Sequence, residues 1–455
     1  ELRRLSEGSV SEASYVKPYT PLVVFTRDVA KGKEIHKIFV SDVITCKERL
    51  VVDIEGTRIF SLGFNGDMIA FIGSTKGNIN LYLSDLKGNV EKLLSLNKVL
   101  FISDMDRKII IGYGHLRDNP KSTEIFIYEI HTNEYIVYTP KEGSNNRYPV
   151  ILDDHRILFE SDYEGENKLY VYDYDRKVLE GVNFSHKNYF KYKPVEHKFY
   201  GKVNDKVWVL GVKNGRSYLF IDGELIKTPE GTVHGVPAFI DEYVIIAHSN
   251  LVTPHRIVSI GLRNNTHRAI LESKVPKDIA KALKARYFVK YRSFDGLEIP
   301  MYVIESGIAP KPGPTVIYVH GGPWSEVSDQ WRVMIASLVA AGYHVLAPNF
   351  RGSTGYGAKF RVLDIGDPGG GDLKDVVYAV KWGINEGLAD VGKVAIMGYS
   401  YGGYMTLLAM GKYPGIWCCG VAGASITDWV EMYELSDAIF RKFIEVLFNL
   451  SLIHI

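Results

Sequence analysis

Short segments of alternating apolar and polar residues recur along the first three fifths of the chain. Six of them close on an acidic or turn residue: 37–42, 80–85, 124–129, 168–173, 217–222 and 256–261. Their first residues lie 39 to 49 residues apart, and similar strand-like segments flank them. Strand-only repeats of roughly 40–50 residues are typical of a β-propeller with four strands to a blade. A β-sandwich is the alternative, but it would leave this regular spacing to chance.

The phase of the repeat predicts an incomplete first blade. Residues 1–5 fall where a fourth strand would lie, with no first three strands before them, and residue 1 is Glu rather than Met. We therefore expect a propeller over residues 1–280 with about six complete blades, and a natural N-terminus upstream of Glu1.

From residue 286 the pattern changes to strands that alternate with helices. Segments 286–291 and 299–304 flank Asp295-Gly296, a hairpin signal. Four buried-type strands follow, at 315–319, 344–347, 394–397 and 420–424, and helical patterns lie between them at 330–341, 372–386 and 403–410. This succession predicts an open, mostly parallel α/β sheet with helices on both faces, assigned to residues 281–455.

Composition and charge exclude several classes of protein. The chain is 46% apolar and 24% charged, as expected of a globular protein with a core, and its formal net charge is +1. Such a balance favours neither nucleic acid nor an anionic membrane as a partner. Three cysteines, two of them adjacent, make no disulfide framework, and the histidines and cysteines show no metal-ligand spacing. We expect a cytoplasmic protein with no cofactor and no metal; a homo-oligomer remains possible.

Gly398-Tyr399-Ser400-Tyr401-Gly402 lies between a predicted strand and a predicted helix. In that context G-x-S-x-G indicates a nucleophile elbow, a sharp turn that exposes the serine at the carboxyl end of the strand. Side chains at Gly398 and Gly402 would collide with neighbouring backbone in so tight a turn. Ser400 is therefore the predicted nucleophile.

A second glycine-rich turn, His320-Gly321-Gly322-Pro323-Trp324, follows the strand predicted at 315–319. Its backbone N–H groups and that of Tyr401 can form an oxyanion hole, the set of donors that stabilises the negative oxygen of an acyl-transfer intermediate.

The rest of a catalytic triad does not follow Ser400 in a suitable place. The expected chain order is Ser, then Asp or Glu, then His. Asp428 and Asp437 come too early for the acid, and His454, the only histidine after Ser400, lies at the extreme end of the chain. A general base must be held against the serine. We therefore expect this chain to lack a complete triad and to be inactive as it stands.

A propeller followed by these two motifs resembles the prolyl oligopeptidase family of serine peptidases, and most of all the archaeal acylaminoacyl peptidases. The resemblance is densest at 349–357, 397–406 and 423–437 and extends to about Phe448. It implies an α/β-hydrolase domain, a seven-bladed propeller that admits only short peptides, and family members that begin before Glu1 and continue past Phe448. The chain is accordingly expected to be truncated at both ends.

The resemblance also implies roles for individual residues. Ser400 would be the nucleophile, and the N–H groups of Gly322 and Tyr401 would form the oxyanion hole. Trp429, Phe440 and Phe443 match an apolar pocket for the residue at the cleaved bond, although aromatic residues at such spacing can equally be core.

The expected activity is the release of N-acylated amino acids from short peptides. Three other enzyme classes share the fold: oligopeptidases, carboxylesterases and dipeptidyl peptidases, the last disfavoured because no Glu-Glu dipeptide occurs in the chain. The non-enzymatic alternative is a catalytically dead, propeller-containing remnant that binds peptides.

Overall fold

A computed structural model describes residues 12–450 except 16–19, 30–34, 97, 118, 120, 185 and 204. The segment 1–5, on which the incomplete first blade was predicted, lies outside this range. Contacts between residues divide the chain into two compact units, Glu1–Val182 with Val430–Ile455, and Asn183–Trp429.

The first unit contains four antiparallel sheets of four strands, each paired in chain order or its reverse. Their strands are β1 Glu12–Tyr15, β2 Leu22–Asp28, β3 His36–Asp42, β4 Glu48–Val52; β5 Arg58–Phe64, β6 Met68–Ser74, β7 Ile79–Asp85, β8 Val90–Leu96; β9 Leu100–Met105, β10 Ile109–Gly114, β11 Glu124–Glu129, β12 Glu134–Tyr138; β13 Asn146–Ile151, β14 Arg156–Ser161, β15 Lys168–Asp173, β16 Val178–Gly181. Every predicted repeat segment in this unit is the third strand of its sheet.

Burial distinguishes the inner strands of these sheets from the outermost ones. The residues of β7 and β11 are almost all buried, whereas the outer strands β8 and β12 are mostly exposed or half-buried. A strand inside a stack of sheets needs apolar residues on both faces, while an edge strand needs them on one face at most.

The second unit begins with α1 Lys187–Tyr192 and two further four-stranded sheets. Their strands are β17 Glu196–Val203, β18 Lys206–Lys213, β19 Arg216–Ile221, β20 Glu224–Ile226; β21 Thr232–Ile240, β22 Tyr243–Asn250, β23 Thr253–Gly261, β24 His267–Glu272. Six such sheets among the described residues confirm the predicted β-propeller.

The remainder of the second unit is the predicted α/β region, a six-stranded sheet in the order β25-β26-β28-β27-β29-β30. Its elements are α2 Lys277–Ala282, β25 Leu283–Arg292, β26 Glu298–Ser306, β27 Gly313–Val319, α3 Val333–Ala340, β28 His344–Pro348, α4 Ala358–Arg361, α5 Gly371–Asn385, β29 Ala389–Tyr399, α6 Tyr401–Lys412 and β30 Cys419–Gly423. Strands β27 to β30 pair in parallel, and β25, β26 and β28 pair antiparallel. This confirms the mostly parallel sheet.

Two short helices end the described chain, α7 Trp429–Leu435 and α8 Ala438–Leu447. Helix α8 belongs to the first unit, where Ile439 joins the apolar cluster of the second and third sheets. The type of sheet changes between β24 and β25, close to the predicted boundary at 280, whereas the compact units divide the chain elsewhere. The boundary at 280 stays a prediction.

Candidate active site

Ser400 lies between the end of β29 and the start of α6, in the turn that the sequence predicted. Its backbone has φ 57° and ψ −120°, a conformation that non-glycine residues rarely adopt. The Ser400 N–H donates to the Gly423 carbonyl over 2.9 Å, and the Tyr404 N–H donates to the Ser400 carbonyl over 3.0 Å. These bonds hold a strained serine at the carboxyl edge of the sheet.

The glycines beside Ser400 are required by space. A Cβ at Gly398 would lie 2.2 Å from the Gly402 carbonyl oxygen, and one at Gly402 would lie 2.2 Å from the Val319 carbonyl oxygen. Both clashes are with backbone, which cannot move aside as a side chain can. The predicted reason for glycine at these two positions therefore agrees with the geometry.

The second glycine-rich turn lies against Ser400. A Cβ built on Gly321 would be 3.4 Å from the Ser400 Cβ and 3.0 Å from the Tyr399 carbonyl oxygen. Gly322 follows with φ 124°, a conformation that favours glycine. Tyr401 is the first residue of α6, where N–H groups have no partner within the helix and carry the positive end of its dipole. The turn and the helix N-terminus thus meet at the serine.

His320, which begins this turn, is a buried structural residue. Its Nδ1 lies 2.7 Å from the Gly321 carbonyl oxygen, and its Nε2 lies 2.9 Å from the Ser353 Oγ. Burial lowers the pKa of His320 to about 4, so the ring is neutral at physiological pH. With both nitrogens engaged, it is not placed to take a proton from Ser400.

Two buried aspartates lie under the site, and the sequence analysis did not identify either. The Tyr401 hydroxyl donates to the Asp372 Oδ2 over 2.5 Å, and the Trp324 indole N–H donates to the Asp364 Oδ1 over 3.2 Å. Both carboxyls are fully buried; burial raises the pKa of Asp364 to about 7 and that of Asp372 to about 6. The sequence offers little to find them by, because each aspartate lies in a segment whose pattern is that of a turn or a helix start.

The three residues of the predicted apolar pocket fall in different units. Trp429 packs in the second unit, with its ring 6.2 Å from that of Tyr401 and 5.4 Å from that of Tyr404. Phe440 and Phe443 lie together on α8 in the first unit, with ring centroids 5.3 Å apart. Trp429 therefore packs against α6, the helix that follows Ser400. A pocket shared by all three residues stays a prediction.

Asp437, one of the two carboxylates excluded as the triad acid, has a structural role. It caps α8 by accepting the Phe440 N–H over 2.9 Å, and it also accepts from Ser74 and lies 3.4 Å from Arg58. His454 lies outside the described residues. Within them, no side chain hydrogen bonds to the Ser400 hydroxyl.

The described part of the chain holds neither a metal-binding cluster nor a membrane-spanning helix. No three of its His, Cys, Asp or Glu side chains cluster in a way that could hold a metal ion. None of its helices is long and apolar enough to cross a membrane.

Two families of known proteins match the chain. Residues 1–258, more than half of it, match the acylamino-acid-releasing enzyme-like N-terminal domain. Residues 329–449, which include Ser400, match the prolyl oligopeptidase family.

Curated relatives align over about a third of the chain or less. A dipeptidyl aminopeptidase BIII of Pseudoxanthomonas mexicana is 37% identical over 159 residues, which cover 33% of this chain and 23% of that protein. The human acylamino-acid-releasing enzyme is 33% identical over 146 residues, covering 32% of this chain and 20% of that protein. The matched stretches thus span about a fifth of these relatives.

Solved structures are similar over nearly the whole chain. A puromycin-hydrolyzing peptidase of Mycobacterium tuberculosis superposes with a TM-score of 0.77 at 16% identity, covering 98% of this chain and 74% of that one. The acylaminoacyl peptidase of Pyrococcus horikoshii superposes with a TM-score of 0.62 at 20% identity, covering 94% and 72%. These likenesses concern the fold. The two family matches show that the chain belongs to the prolyl oligopeptidase family of serine peptidases, with an N-terminal domain of the acylamino-acid-releasing enzyme-like type.

Proposed function

We propose that the protein is a serine peptidase that releases N-acylated amino acids from short peptides, with Ser400 as its nucleophile. The observation that carries the proposal is the strained elbow, which sets Ser400 against the Gly321-Gly322 turn and the N-terminus of α6. The N-terminal domain supports the acylamino-acid preference, because its matching family takes its name from that activity.

The proposed reaction follows the usual course of acyl transfer. A general base takes the Ser400 proton as the oxygen attacks the substrate carbonyl, and the N–H groups of Gly322 and Tyr401 stabilise the resulting oxyanion. The base then gives the proton to the leaving amine, which departs and leaves an acyl-enzyme. Water hydrolyses this ester and regenerates the Ser400 hydroxyl.

The test uses the protein expressed from its complete gene. We expect a fluorophosphonate to label Ser400 and Ser400→Ala to lower turnover of an acyl-amino-acid anilide by at least about 10³-fold, because the covalent step is lost. Ser337→Ala, an exposed serine of α3, serves as the matched control and should change neither readout. Full turnover by Ser400→Ala would refute the assignment.

A dipeptidyl peptidase is the second candidate. Two relatives named for that activity match the chain at 37% and 40% identity, although over no more than a third of it. An acyl-amino-acid anilide, a free-amine dipeptide anilide and a simple ester, compared by kcat/KM, separate the classes. A preference for the free amine would favour the second candidate, and a preference for the ester would favour a carboxylesterase.

A further inference from the structure

We propose that the buried carboxyls of Asp364 and Asp372 are positioning residues, each of which fixes one half of the oxyanion hole. The inference rests on the proposed function, since it concerns the same site.

Asp372 fixes the half that Tyr401 supplies. The phenol of Tyr401 is fully buried, and its hydroxyl donates a hydrogen bond to the Asp372 Oδ2. The Asp372 Oδ1 accepts the Leu373 N–H over 2.7 Å. Asp372 lies near the start of α5, so its carboxylate is held by the backbone of one helix and holds the first residue of another, α6. The Tyr401 N–H lies at the N-terminus of α6 next to Ser400, and the side chain of the same residue is anchored on Asp372.

Asp364 fixes the half that the Gly321-Gly322 turn supplies. It accepts from the indole of Trp324, two residues after Gly322. The turn is tight, because a Cβ on Gly322 would be 2.7 Å from the Trp324 nitrogen. The carboxyl itself is pressed against Gly352, where a Cβ would come within 2.4 Å of it. The hydrogen bond to Asp364 thus holds Trp324 at the end of the tight turn that carries Gly322.

An aromatic stack joins the two halves. The ring of Phe350 stacks on His320 at 4.3 Å and 14°, and lies 6.2 Å from the ring of Tyr401 at 28°. His320 begins the turn that carries Gly322, and Tyr401 carries the other donor. Both donors are thus tied to one packed layer, with a buried carboxyl holding each side.

The physical reason for such anchoring is that oxyanion donors act only at the correct distance. A misplacement of about 1 Å can cost about 10²-fold in rate, and hydrogen bonds aimed at the developing charge lower the barrier without tightening substrate binding. Loosening either anchor should therefore lower kcat and leave KM nearly unchanged.

The experiment compares variants of the protein expressed from its complete gene. Tyr401→Phe removes only the hydroxyl that reaches Asp372, and Asp364→Leu removes the acceptor for Trp324. We expect each to lower kcat about tenfold with KM within about twofold. Asp364→Asn keeps the Oδ1 acceptor. The second oxygen, which it replaces, has no hydrogen-bond partner among the described residues. This variant should therefore lower kcat by less than about threefold. Tyr413→Phe, at the far end of α6, is the matched control and should change neither constant.

The outcomes separate this proposal from the function on which it rests. If the unaltered protein neither labels at Ser400 nor turns over any substrate, the proposed function fails. If it is active and Tyr401→Phe and Asp364→Leu leave kcat unchanged, or act only by raising KM, the positioning role is overturned. Equal losses for Asp364→Asn and Asp364→Leu would also contradict it. Urea midpoints identify any variant that fails to fold. If Asp364→Leu does, Trp324→Phe, which removes the indole donor and leaves Asp364 in place, replaces it and should lower kcat about tenfold with KM within about twofold.

Discussion

Two glycines on helix α6 respond to the same substitution in opposite ways. In Gly402→Ala the new methyl group would meet backbone oxygen at 2.2 Å, so we expect a loss of about 3 kcal/mol in unfolding free energy and no labelling of Ser400. Gly411→Ala meets nothing within 4 Å and has no positive φ, so better helix propensity should stabilise the protein by about 0.5–1 kcal/mol. Urea unfolding measures the free-energy change of each variant, and fluorophosphonate labelling measures the reactivity of Ser400. Equal effects of the two substitutions would show that the turn is less tight than the structure indicates.

The sequence predicted Ser400 and its turn because the motif is local. Strand, glycines and helix lie within a few residues, and the steric need for glycine can be argued without the fold. Asp364 and Asp372 could not be found in this way. Their burial depends on α5, α6 and the turn at Trp324 coming together, and an acid within a loop or at a helix start reads locally as a solvated or capping residue.

At the scale of elements, strands were predicted well and short helices were not. The third strands lie inside their sheets and carry clear alternation, so the repeat located them to within about three residues. Helices α1 and α2 are six residues each, too short to show a helical period. Strand β29 begins at Ala389, earlier than the predicted residue 394, because its exposed start around Gly392 carries no apolar pattern.

The start of helix α8 gives a prediction at this scale. Asp437 caps it, so Asp437→Ala should cost about 1 kcal/mol, while Asp437→Asn, which can still accept the Phe440 N–H, should cost less. The measurement is hydrogen exchange at the amides of Phe440 and Arg441, which should be faster in Asp437→Ala than in the unaltered protein. Unchanged exchange at both amides in Asp437→Ala would show that this carboxylate does not stabilise the start of α8.

At the scale of the second unit, one buried carboxylate ties propeller sheets to the six-stranded sheet. Asp329 is fully buried and lies 3.0 Å from Arg216 of β19 and 2.6 Å from Arg286 of β25. It also accepts the Leu251 N–H, from the turn between β22 and β23, over 3.1 Å. Three elements from three sheets therefore share one charge, so the last two propeller sheets and the α/β sheet should lose structure together.

Asp329→Asn tests this coupling. Removing the charge leaves the largely buried guanidinium groups of Arg216 and Arg286 with only the exposed carboxylate of Glu230 as an acidic partner, so we expect a loss of about 3 kcal/mol in unfolding free energy. Hydrogen exchange should speed up in β19 and β25 alike. The matched control is Glu242→Gln, which breaks the exposed pair with Arg263 and should change stability by less than about 0.5 kcal/mol. Faster exchange in β19 with β25 unchanged would mean that the propeller sheets open independently, and that Asp329 stabilises a local contact rather than the unit.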